Sequence, residues 1–578
     1  MARWVIAREN NDQEQGLLGV PASVLNILTN RGIPASDLED FLSPAPKVTY
    51  DPFLLTDLKE AAELLIDAAD SGRTICVYGD YDADGITSTA LMTSVLVCLT
   101  DKVFSYVPSR FSDGYGLSVG AVDKIRQQGA DVLITVDCGS TSPAEVAHAR
   151  ELGMDVIVTD HHILREGMDP DCIFVNPKRD GNYPFSELCG CGVAFKLAQG
   201  MQRILEQRGD SRFTKAKLNS LLDLVAISTV ADIVPLRGEN RNLVKYGLDR
   251  INRKERAGLT SLLNALDLSG RIIDSFSISY IIAPNLNALG RMGSAGPGVE
   301  LLESRSSAER LDELAELTIK TNIERKAEQE KTFRICRQRL AEGNCGDYAP
   351  VILAEGAHEG VAGIVAGNLK EQLYRPVCIA TPTGDGMLKG TGRSIPGVNL
   401  HQCLENCGDI FTRFGGHAGA CGFSLKEENL GIFRERMQEQ VRALADKDPE
   451  LFTETIYIEH ELTSAEKNIG YAEKLQLLEP YGEANPVPLF CIRNAQVGSV
   501  RTMGADGQHI RFTASTDDRI PVGCVLFGRA EQYKDMIFGR GRIDVAGELD
   551  INEFRGERRL QMRVKDIRES GQEGNNVY

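Results

Sequence analysis

The chain has 578 residues, of which 42% are hydrophobic and 25% charged, and its formal net charge is −18. This length predicts three or four domains, and this composition is that of an ordinary soluble globular protein. The sequence has no run of about 18 apolar residues that could span a membrane, and MARWVIARENND lacks the long apolar segment of a secretory signal. We therefore expect a cytoplasmic protein that makes no membrane contact.

The spacing of the 14 cysteines indicates whether they form disulfides, bind zinc or remain free thiols. The closest pairs, Cys189 with Cys191 and Cys403 with Cys407, form neither a disulfide framework nor the paired CxxC clusters of a zinc site. This spacing predicts reduced thiols.

The acidic net charge argues at first against a nucleic-acid partner, but binding depends on local patches. Two segments, 320–339 and 555–568, are basic against this average. Their basic residues are Lys320, Arg325, Lys326, Lys331, Arg334, Arg337 and Arg339, and Arg555, Arg558, Arg559, Arg563, Lys565 and Arg568. A charge run of this kind is also explained by a solvated face.

Strands and helices alternate from about 73 to 235, which predicts a mostly parallel sheet with helices on both faces. The strand candidates are RTICVYG, KVFSYVP, ADVLITV and MDVIVT. From about 300 to 343 the chain is rich in helix formers, which predicts a long helix joining two domains. A second α/β unit follows from about 348 to 445. Past about 453, alternating apolar residues predict a small barrel such as an OB-fold.

The sequence VYGDYDADGIT, at 77–87, contains three aspartates at alternate positions, Asp80, Asp82 and Asp84. An EF-hand loop begins in this way, but its twelfth position must be a glutamate, and here it is Leu91. The segment before the aspartates has a strand pattern and the segment after them a helical one. This order is typical of an active-site loop in an α/β protein.

Further acids and histidines follow other predicted strands. Asp137 directly follows ADVLITV, and Asp160, His161 and His162 directly follow MDVIVT. Asp232 follows an apolar helix. Because ligands of an open parallel sheet bind at the carboxyl ends of its strands, we expect these side chains to meet. The set expected to converge is Asp82, Asp84, Asp137, His161 and Asp232.

Carboxylates with an imidazole suit Mn²⁺ or Mg²⁺ better than zinc or calcium. So many carboxylates would repel one another, and protons or cations must neutralise them. Two divalent ions are the usual arrangement for phosphoryl hydrolysis. Taken singly, Asp137 or Asp160 is also explained as a helix N-cap and His161 as a structural histidine. Four such sites in the same context favour a metal centre.

The order of the motifs GDYDADG, VDCG, DHH and ADIVPL resembles that of the DHH phosphoesterase family. Four later motifs resemble the companion DHHA1 domain and its lead-in: APNLNALGRMGSA, HEGVAGIVAGNL, GTGRSIPGVNL and FGGHAGACGF. PYGEANPVPLF and the basic C-terminal segment are similar to the OB-fold of the family's single-strand-specific 5′→3′ DNA exonucleases. The resemblance covers about residues 50 to 570.

The resemblance implies an α/β fold in which two α/β domains, a DHH domain with a parallel sheet and a DHHA1 domain, are joined by a long helix. A C-terminal β-barrel OB-fold domain completes it. The expected units are an N-terminal segment (1–50), the DHH catalytic domain (51–240), a helical connector (241–345), the DHHA1 domain (346–450), the OB-fold domain (451–570) and a tail (571–578).

The resemblance also implies two Mn²⁺ or Mg²⁺ ions, bridged by Asp137 and held with Asp82, Asp84, His161 and Asp232. His162 is expected to face the substrate phosphate, so that Asp137, His161 and His162 are the catalytic candidates. Some relatives carry a histidine where this chain has Tyr78. Whether Asp80 replaces that histidine as a metal ligand stays open at this point.

Candidates for phosphate contacts follow from the same resemblance. They are Arg110, Arg291, His358, Arg393, Ser394 and His417. Arginine forks match phosphate oxygens, and glycine-flanked sites let backbone amides approach an anion. A tight turn also explains GGHAG, and structural ion pairs also explain Arg291 and Arg393.

The function implied is a single-strand-specific DNA exonuclease that degrades 5′→3′ to 5′-mononucleotides in recombination and repair. Its expected partners are single-stranded DNA, a single-strand-binding protein and a helicase. One alternative keeps the fold but acts on short oligonucleotides or cyclic dinucleotides; the OB-like segment argues against it. A second alternative is a non-catalytic DNA-binding scaffold, which predicts lost metal ligands, whereas the carboxylates and His161 are present.

Overall fold

The structure is a computed structural model that describes residues 2–7, 19–110, 116–164, 167–504, 506–539, 541–554 and 556–571. Within these ranges, no helix has both the length and the apolarity needed to cross a bilayer. All 14 cysteines are free thiols, as their spacing predicts.

The N-terminal elements pack against the far end of the chain. They are β1 (Arg3–Ile6), α1 (Ala22–Asn30) and α2 (Leu38–Leu42). The β1 strand pairs in parallel with residues 455–458, and the Trp4 indole donates to Asp566 at 2.7 Å. Val24 and Leu28 of α1 share a hydrophobic core with Phe512.

A five-stranded parallel sheet forms the first α/β domain, as the alternating pattern predicts. Its strands are β2 (Ile75–Gly79), β3 (Val103–Tyr106), β4 (Val132–Val136), β5 (Asp155–Thr159) and β6 (Ile173–Val175). The spatial order is β3-β2-β4-β5-β6, and every neighbouring pair is parallel.

Helices cover both faces of this sheet. They are α3 (Leu58–Asp70), α4 (Ala83–Leu96), α5 (Val119–Gln127), α6 (Pro143–Glu151), α7 (Gly190–Gln207), α8 (Lys215–Ser220) and α9 (Leu222–Ala231). Because side chains alternate along a strand, Val77 of β2 packs into the core with α3, α4 and α7, whereas Tyr78 packs into the core with α5 and α6.

A helical connector follows. Its elements are α10 (Gly238–Arg253), α11 (Ala257–Ala265), α12 (Ser275–Ser277), a π-helical turn (Ile278–Ile282), α13 (Ala283–Met292), α14 (Gly296–Glu303) and α15 (Ala308–Ala341). The α15 helix has 34 residues, so it is about 50 Å long. It contacts α11 and α13 of the connector and α16 of the second α/β domain, and so joins the two domains as predicted.

The second α/β domain has a mixed sheet. Its elements are β7 (Val351–Leu353), α16 (Glu359–Leu373), β8 (Val377–Pro382), β9 (Met387–Arg393), α17 (Leu400–Glu405), β10 (Phe411–His417), β11 (Ala420–Lys426) and α18 (Leu430–Lys447). The strand order is β10-β11-β9-β8-β7. Among the described residues of this sheet, β7 and β8 pair in parallel and the other neighbouring strands are antiparallel.

The C-terminal domain is a closed barrel with the connectivity of an OB-fold. Its elements are β12 (Thr455–Ile458), β13 (His460–Glu461), α19 (Ile469–Leu475), β14 (Leu489–Met503), β15 (His509–Ser515), β16 (Val522–Leu526), α20 (Ala530–Phe538), β17 (Ile543–Phe554) and β18 (Glu557–Glu569). The ladder β14-β15-β16-β18-β17 closes because β17 also pairs with β14.

A loop of the barrel domain docks on the connector. The buried Arg241 guanidinium donates to the carbonyls of Glu479 and Pro480, at 2.7 and 3.2 Å. The Leu236 amide donates to the Glu483 carbonyl at 2.8 Å. These contacts join the barrel to the chain segment that follows Asp232, which is a candidate metal ligand.

Candidate metal centre and phosphate site

The turn after β2 holds the three alternate aspartates in a compact form. A Cβ on Gly79 would lie 1.8 Å from Thr89 Oγ1, and a Cβ on Gly85 would lie 2.3 Å from the Asp80 carbonyl oxygen. Only glycine fits at these two positions. The Asp82 carboxylate accepts from the Gly85 amide at 3.0 Å and caps α4. The strand, acidic turn and helix predicted from the sequence are therefore present, and the segment is not an EF-hand.

His161 lies among three carboxylates that come from distant parts of the chain. Its Nε2 is 3.2 Å from Asp137 Oδ1, 3.6 Å from Asp232 Oδ2 and 3.8 Å from Asp84 Oδ2. Two overlapping groups place their ligand atoms close enough for one ion: Asp84, His161 and Asp232, and Asp137, Asp160, His161 and His162. Of the five residues expected to converge, the structure brings Asp84, Asp137, His161 and Asp232 together in these groups, and Asp82 belongs to neither.

The N-terminus of α7 orients Asp84. The amides of Gly190 and Cys191 donate to its two oxygens at 2.7 and 2.8 Å, and the Ser228 hydroxyl donates to Oδ1. Asp137 lies against the same helix end, because a Cβ on Gly190 would be 2.5 Å from Asp137 Cβ. The sequence motifs contain no sign of these contacts, which come from CGCG at 189–192.

Asp160 holds the histidine pair, although our sequence-based site omits it. Its carboxylate accepts from the amides of Ser140, His161 and His162 and from His162 Nδ1, the last at 2.7 Å. Burial alone would lower the pKa of His162, but Asp160 outweighs it and raises that pKa to about 9. Despite its burial, the pKa of Asp160 lies below its usual range, because His162 stabilises the carboxylate. The position of Asp160 directly before the two histidines is the sequence feature from which its role could have been predicted.

Burial and mutual repulsion raise the pKa values of the acidic cluster. The pKa of Asp232 rises to about 8, through burial and then the charge of Asp84. The pKa of Asp80 also rises to about 8, through burial and then the charge of Asp82. The pKa of Asp137 is raised by burial and by the surrounding aspartates. The cluster therefore requires protons or cations.

The donor set fits divalent cations. Asp137 Oδ1 and His161 Nδ1 are buried and have no hydrogen-bond partner, which is an unfavourable state for polar atoms unless a ligand compensates it. Carboxylate oxygens with imidazole nitrogen match the preferences of Mn²⁺ and Mg²⁺. Neither potential ion-binding group of the described residues includes Asp80 or Asp82. The Tyr78 hydroxyl donates to the Gly116 carbonyl at 2.8 Å in the opposite core, away from this cluster.

Arg110 and Arg291 lie beside the acidic cluster, and Arg325 and Arg393 lie near Arg291. Of these four arginines, Arg325 is not among the site residues predicted from the sequence. The pKa of Arg291 falls to about 10 through burial and through the charges of Arg110, Arg325 and Arg393. Arg110 lies 4.4 Å from the Tyr81 ring centroid, and its buried Nε has no hydrogen-bond partner. Among the described residues, no carboxylate lies within 4.0 Å of any of these four guanidinium groups. This arrangement suits an anion.

Arg325 is one of seven basic residues in the segment 320–339, and the sequence does not distinguish it from the others. It is almost fully buried, and its guanidinium donates to Asn322 at 2.6 Å and to Gln329 at 2.5 Å. Other basic residues of that run pair with glutamates on the helix surface, such as Lys331 with Glu328. A solvated charged face thus explains much of the run, as the sequence allowed.

The remaining phosphate candidates have local roles. The Ser394 hydroxyl donates to the Val398 carbonyl at 2.7 Å, which closes a turn. His417 is exposed at the end of the β10–β11 hairpin, so GGHAG forms a tight turn. His358 Nδ1 accepts from the Gly360 amide and caps α16, whose Gly360 carbonyl accepts from Arg291. His358 is therefore near the arginines.

Most of the arginines in the basic segment of β18 are paired with acidic side chains. Its arginines form ion pairs: Arg558 with Glu473, Arg559 with Glu557, Arg563 with Glu548 and Arg568 with Asp544. Arg555 lies outside the described residues. A solvated charged face, which the sequence allowed, therefore describes Arg558, Arg559 and Arg563.

Comparisons with known proteins match the three domains in order. The profile described as "DHH family, N-terminal domain" matches residues 74–229, that of the "DHHA1 domain" residues 347–443, and that of the "RecJ OB domain" residues 458–566.

Relatives and solved structures extend the match over nearly the whole chain. The single-stranded-DNA-specific exonucleases RecJ of Bacillus subtilis and Escherichia coli are both 36% identical to it. The first alignment covers 98% of this chain and 70% of the relative, and the second 89% and 90%. The crystal structure of RecJ from Thermus thermophilus in complex with Mn²⁺ superposes with a TM-score of 0.84 at 29% identity, over 100% of this chain and 81% of that chain. A Mg²⁺ complex of the same protein gives 0.76 at 28% identity, over 98% and 78%. The chain therefore belongs to the RecJ family of single-stranded-DNA-specific exonucleases.

Proposed function

We propose that this protein hydrolyses phosphodiester bonds at the end of single-stranded DNA and uses Mn²⁺ or Mg²⁺. The observation that carries the proposal is the convergence of Asp84, Asp137, His161 and Asp232 near a group of four arginines, none of which forms an ion pair with a carboxylate of the described residues. An acidic centre for cations next to a cationic pocket for an anion is the arrangement that phosphoryl hydrolysis requires. The polymer-degrading relatives support this function over one on cyclic dinucleotides.

We assign the metal ligands to Asp84, Asp137, His161 and Asp232, with Asp82 at the edge of the site. When bound, the two ions supply a hydrolytic nucleophile at neutral pH and neutralise charge on the phosphate. The α7 amides hold the Asp84 carboxylate in place beside His161. Asp160 holds a proton on His162, and we assign that imidazolium to the substrate phosphate.

Arg110, Arg291, Arg325 and Arg393 bind the terminal phosphate in this proposal. A pocket of fixed positive charge beside the metal ligands selects a strand end over an internal segment, because only an end carries an additional terminal phosphate charge. Their support is that none of the four forms an ion pair with a carboxylate of the described residues, while Asp82 and Asp80 act on Arg291 and Arg110 at longer range. We propose 5′→3′ polarity, release of 5′-mononucleotides and a role in recombination and repair on the family resemblance.

We further propose a single-strand-binding protein and a helicase as partners and the cytoplasm as the place of action. Single strands arise when duplexes are separated and are then covered by binding proteins, so both activities would supply the substrate. We also retain the domain boundaries given above; the profile matches at 74–229, 347–443 and 458–566 fall inside them.

Digestion of end-labelled DNA tests the proposed activity. Single strands and duplexes, labelled at either end, are incubated with Mn²⁺ and wild-type protein, Asp137→Ala or the control Asp101→Ala, which changes an exposed aspartate. We expect the 5′ label to be released first from single strands. Asp137→Ala is expected to lose more than about 100-fold in rate, because the central ligand is gone. Asp101→Ala keeps wild-type activity. Undiminished hydrolysis by a folded Asp137→Ala would contradict the metal assignment.

A further inference from the structure

The helix formed by α12, the π-helical turn and α13 runs without interruption from Ser275 to Met292. One side of it packs into the core through residues such as Ile278, Ile282 and Leu286. Residues 276, 280, 284, 287 and 291 are not buried. Because these positions recur every three or four residues, they form one accessible stripe along the helix.

One end of this stripe reaches the metal and phosphate sites. Asn287 Oδ1 accepts from the Ala83 amide at 2.8 Å, between Asp82 and Asp84. One helical turn later, Arg291 belongs to the arginine cluster. A ligand that occupies both sites therefore lies directly at this end of the helix.

The other end presents two stacked aromatic rings to solvent. Phe276 and Tyr280 are 56% and 68% exposed, and their ring centroids are 4.5 Å apart at an interplanar angle of 30°. Tyr280 precedes Asn287 by two turns, so it lies about 10 Å from it along the helix axis. Two large exposed rings on one helix contribute little to the fold.

The composition of the helix suits a polyanion. None of its 18 residues is acidic, although the chain contains 82 aspartates and glutamates. The π-helical turn lies at the aromatic end, and such turns are frequent at functional sites. Flat, exposed aromatic faces are the surfaces on which bases of single strands stack, although the Asp274 carboxylate caps the helix at this end.

We propose that Phe276 and Tyr280 form a stacking platform for bases of the substrate strand a few nucleotides from the bond that is cut. The platform rests on the proposed function and adds a binding site to it. Its occupant is single-stranded DNA, because the stripe continues to Asn287 and Arg291 at the site where that strand is hydrolysed. The rings accept any base, which agrees with degradation that does not depend on sequence.

A variant that removes both rings tests the platform. Binding of a single strand of about 20 nucleotides is measured in EDTA, with a fluorescent base analogue whose emission falls when it stacks, placed in turn at successive positions. Wild type is expected to quench the analogue at positions near the bound end. Phe276→Ala/Tyr280→Ala is expected to lose this quenching and to bind roughly tenfold more weakly.

Two matched variants accompany it. Phe276→Tyr/Tyr280→Phe keeps both rings and is expected to retain quenching and affinity. Phe538→Ala removes a ring of similar exposure (57%) from the barrel domain and is expected to change neither. In Mn²⁺ the double alanine variant is expected to raise KM more than it lowers kcat, and to lose more kcat/KM on the long strand than on a dinucleotide.

The outcomes separate the platform from the proposed function. If wild type neither binds nor degrades single strands, the function itself is wrong. If wild type does both and the double alanine variant quenches and binds equally well, the platform is wrong and the rings serve another partner. Equal losses in the ring-keeping variant would also overturn the stacking role, since both rings remain.

Discussion

At the scale of single residues, backbone strain lies beside the metal ligands. Asp137 has a φ of 62° and Ile233, next to Asp232, a φ of 57°. A β-branched residue is rarely found in this left-handed region, because its side chain crowds the backbone. Ile233 is also 67% exposed. The buried Leu236 holds the turn from the other side: a Cβ on Gly482 of the barrel loop would lie 2.7 Å from its Cδ1.

Replacement of Ile233 by glycine is expected to stabilise the metal-free protein. Glycine adopts this conformation without a steric penalty, so the free energy of unfolding should rise by about 1 kcal/mol despite the added backbone entropy. The measurement is the urea midpoint in EDTA at an unchanged slope. Ile163→Gly serves as the control, because Ile163 is similarly exposed beside His162 but does not have a positive φ. That variant should be less stable than wild type. A lower midpoint for Ile233→Gly would show that the turn is not strained.

At the scale of elements, the barrel strands differ in how their basic residues are used. The arginines of β18 pair with acids, whereas Arg501 of β14 lies opposite Arg511 of β15 in the ladder. Both are exposed, and within the described ranges neither has a carboxylate partner. Like charges opposite each other destabilise a sheet. The second and third strands of an OB-fold form its usual nucleic-acid surface, and β15 and β16 hold those positions here. We infer that Arg511 of β15 contacts DNA phosphates, with Arg501 of β14 opposite it in the ladder.

Charge reversal on β15 is expected to weaken binding of long single strands. Arg511→Glu removes one phosphate contact and adds repulsion, so affinity should fall several-fold and its dependence on salt should become shallower. Fluorescence anisotropy in EDTA at several salt concentrations measures both effects. Arg559→Glu is the matched control, because Arg559 is exposed and already pairs with Glu557. Equal losses in the two variants would indicate a general effect of net charge instead of a contact at Arg511.

At the scale of the whole molecule, the acidic cluster couples metal binding to folding. In the metal-free protein the pKa values of Asp80 and Asp232 are about 8, whereas carboxyls of an unfolded chain titrate at about 4. Groups with raised folded pKa values stabilise the fold fully below about pH 4, and this contribution is lost as the pH rises through about 8. Cations remove the repulsion that causes this loss.

The stabilisation by Mn²⁺ is therefore expected to grow with pH. The increase in melting temperature on adding Mn²⁺ to metal-free protein should be larger at about pH 8.5 than at about pH 6, because protons compete for the same carboxylates. Differential scanning fluorimetry at the two pH values measures it. Asp137→Asn should lose much of the increase at both. An increase that is the same at the two pH values would contradict a proton-linked site.

The order of the domains and several of the candidate site residues can be predicted from the amino-acid sequence alone. Short apolar runs that alternate with helical segments predict β2, β4 and β5, and the acids after these strands are expected to meet because parallel strands end at one edge. Asp84, Asp137 and His161 follow from this rule, and Asp232 joins them from the end of α9. Local signals of this kind suffice because a strand and the residue after it are neighbours in the chain.

The side chains that surround these residues can be identified only in the folded protein. The hydrogen bond between Asp160 and His162 shows that Asp160 is more than a helix cap. The burial of Arg325 distinguishes it from the charged residues on the surface of α15. The ion pairs of β18, the stripe from Phe276 to Arg291 and the contact of Leu236 with the barrel loop join residues far apart in the chain. Burial and charge pairing depend on which segments pack together, so a local pattern has no access to them.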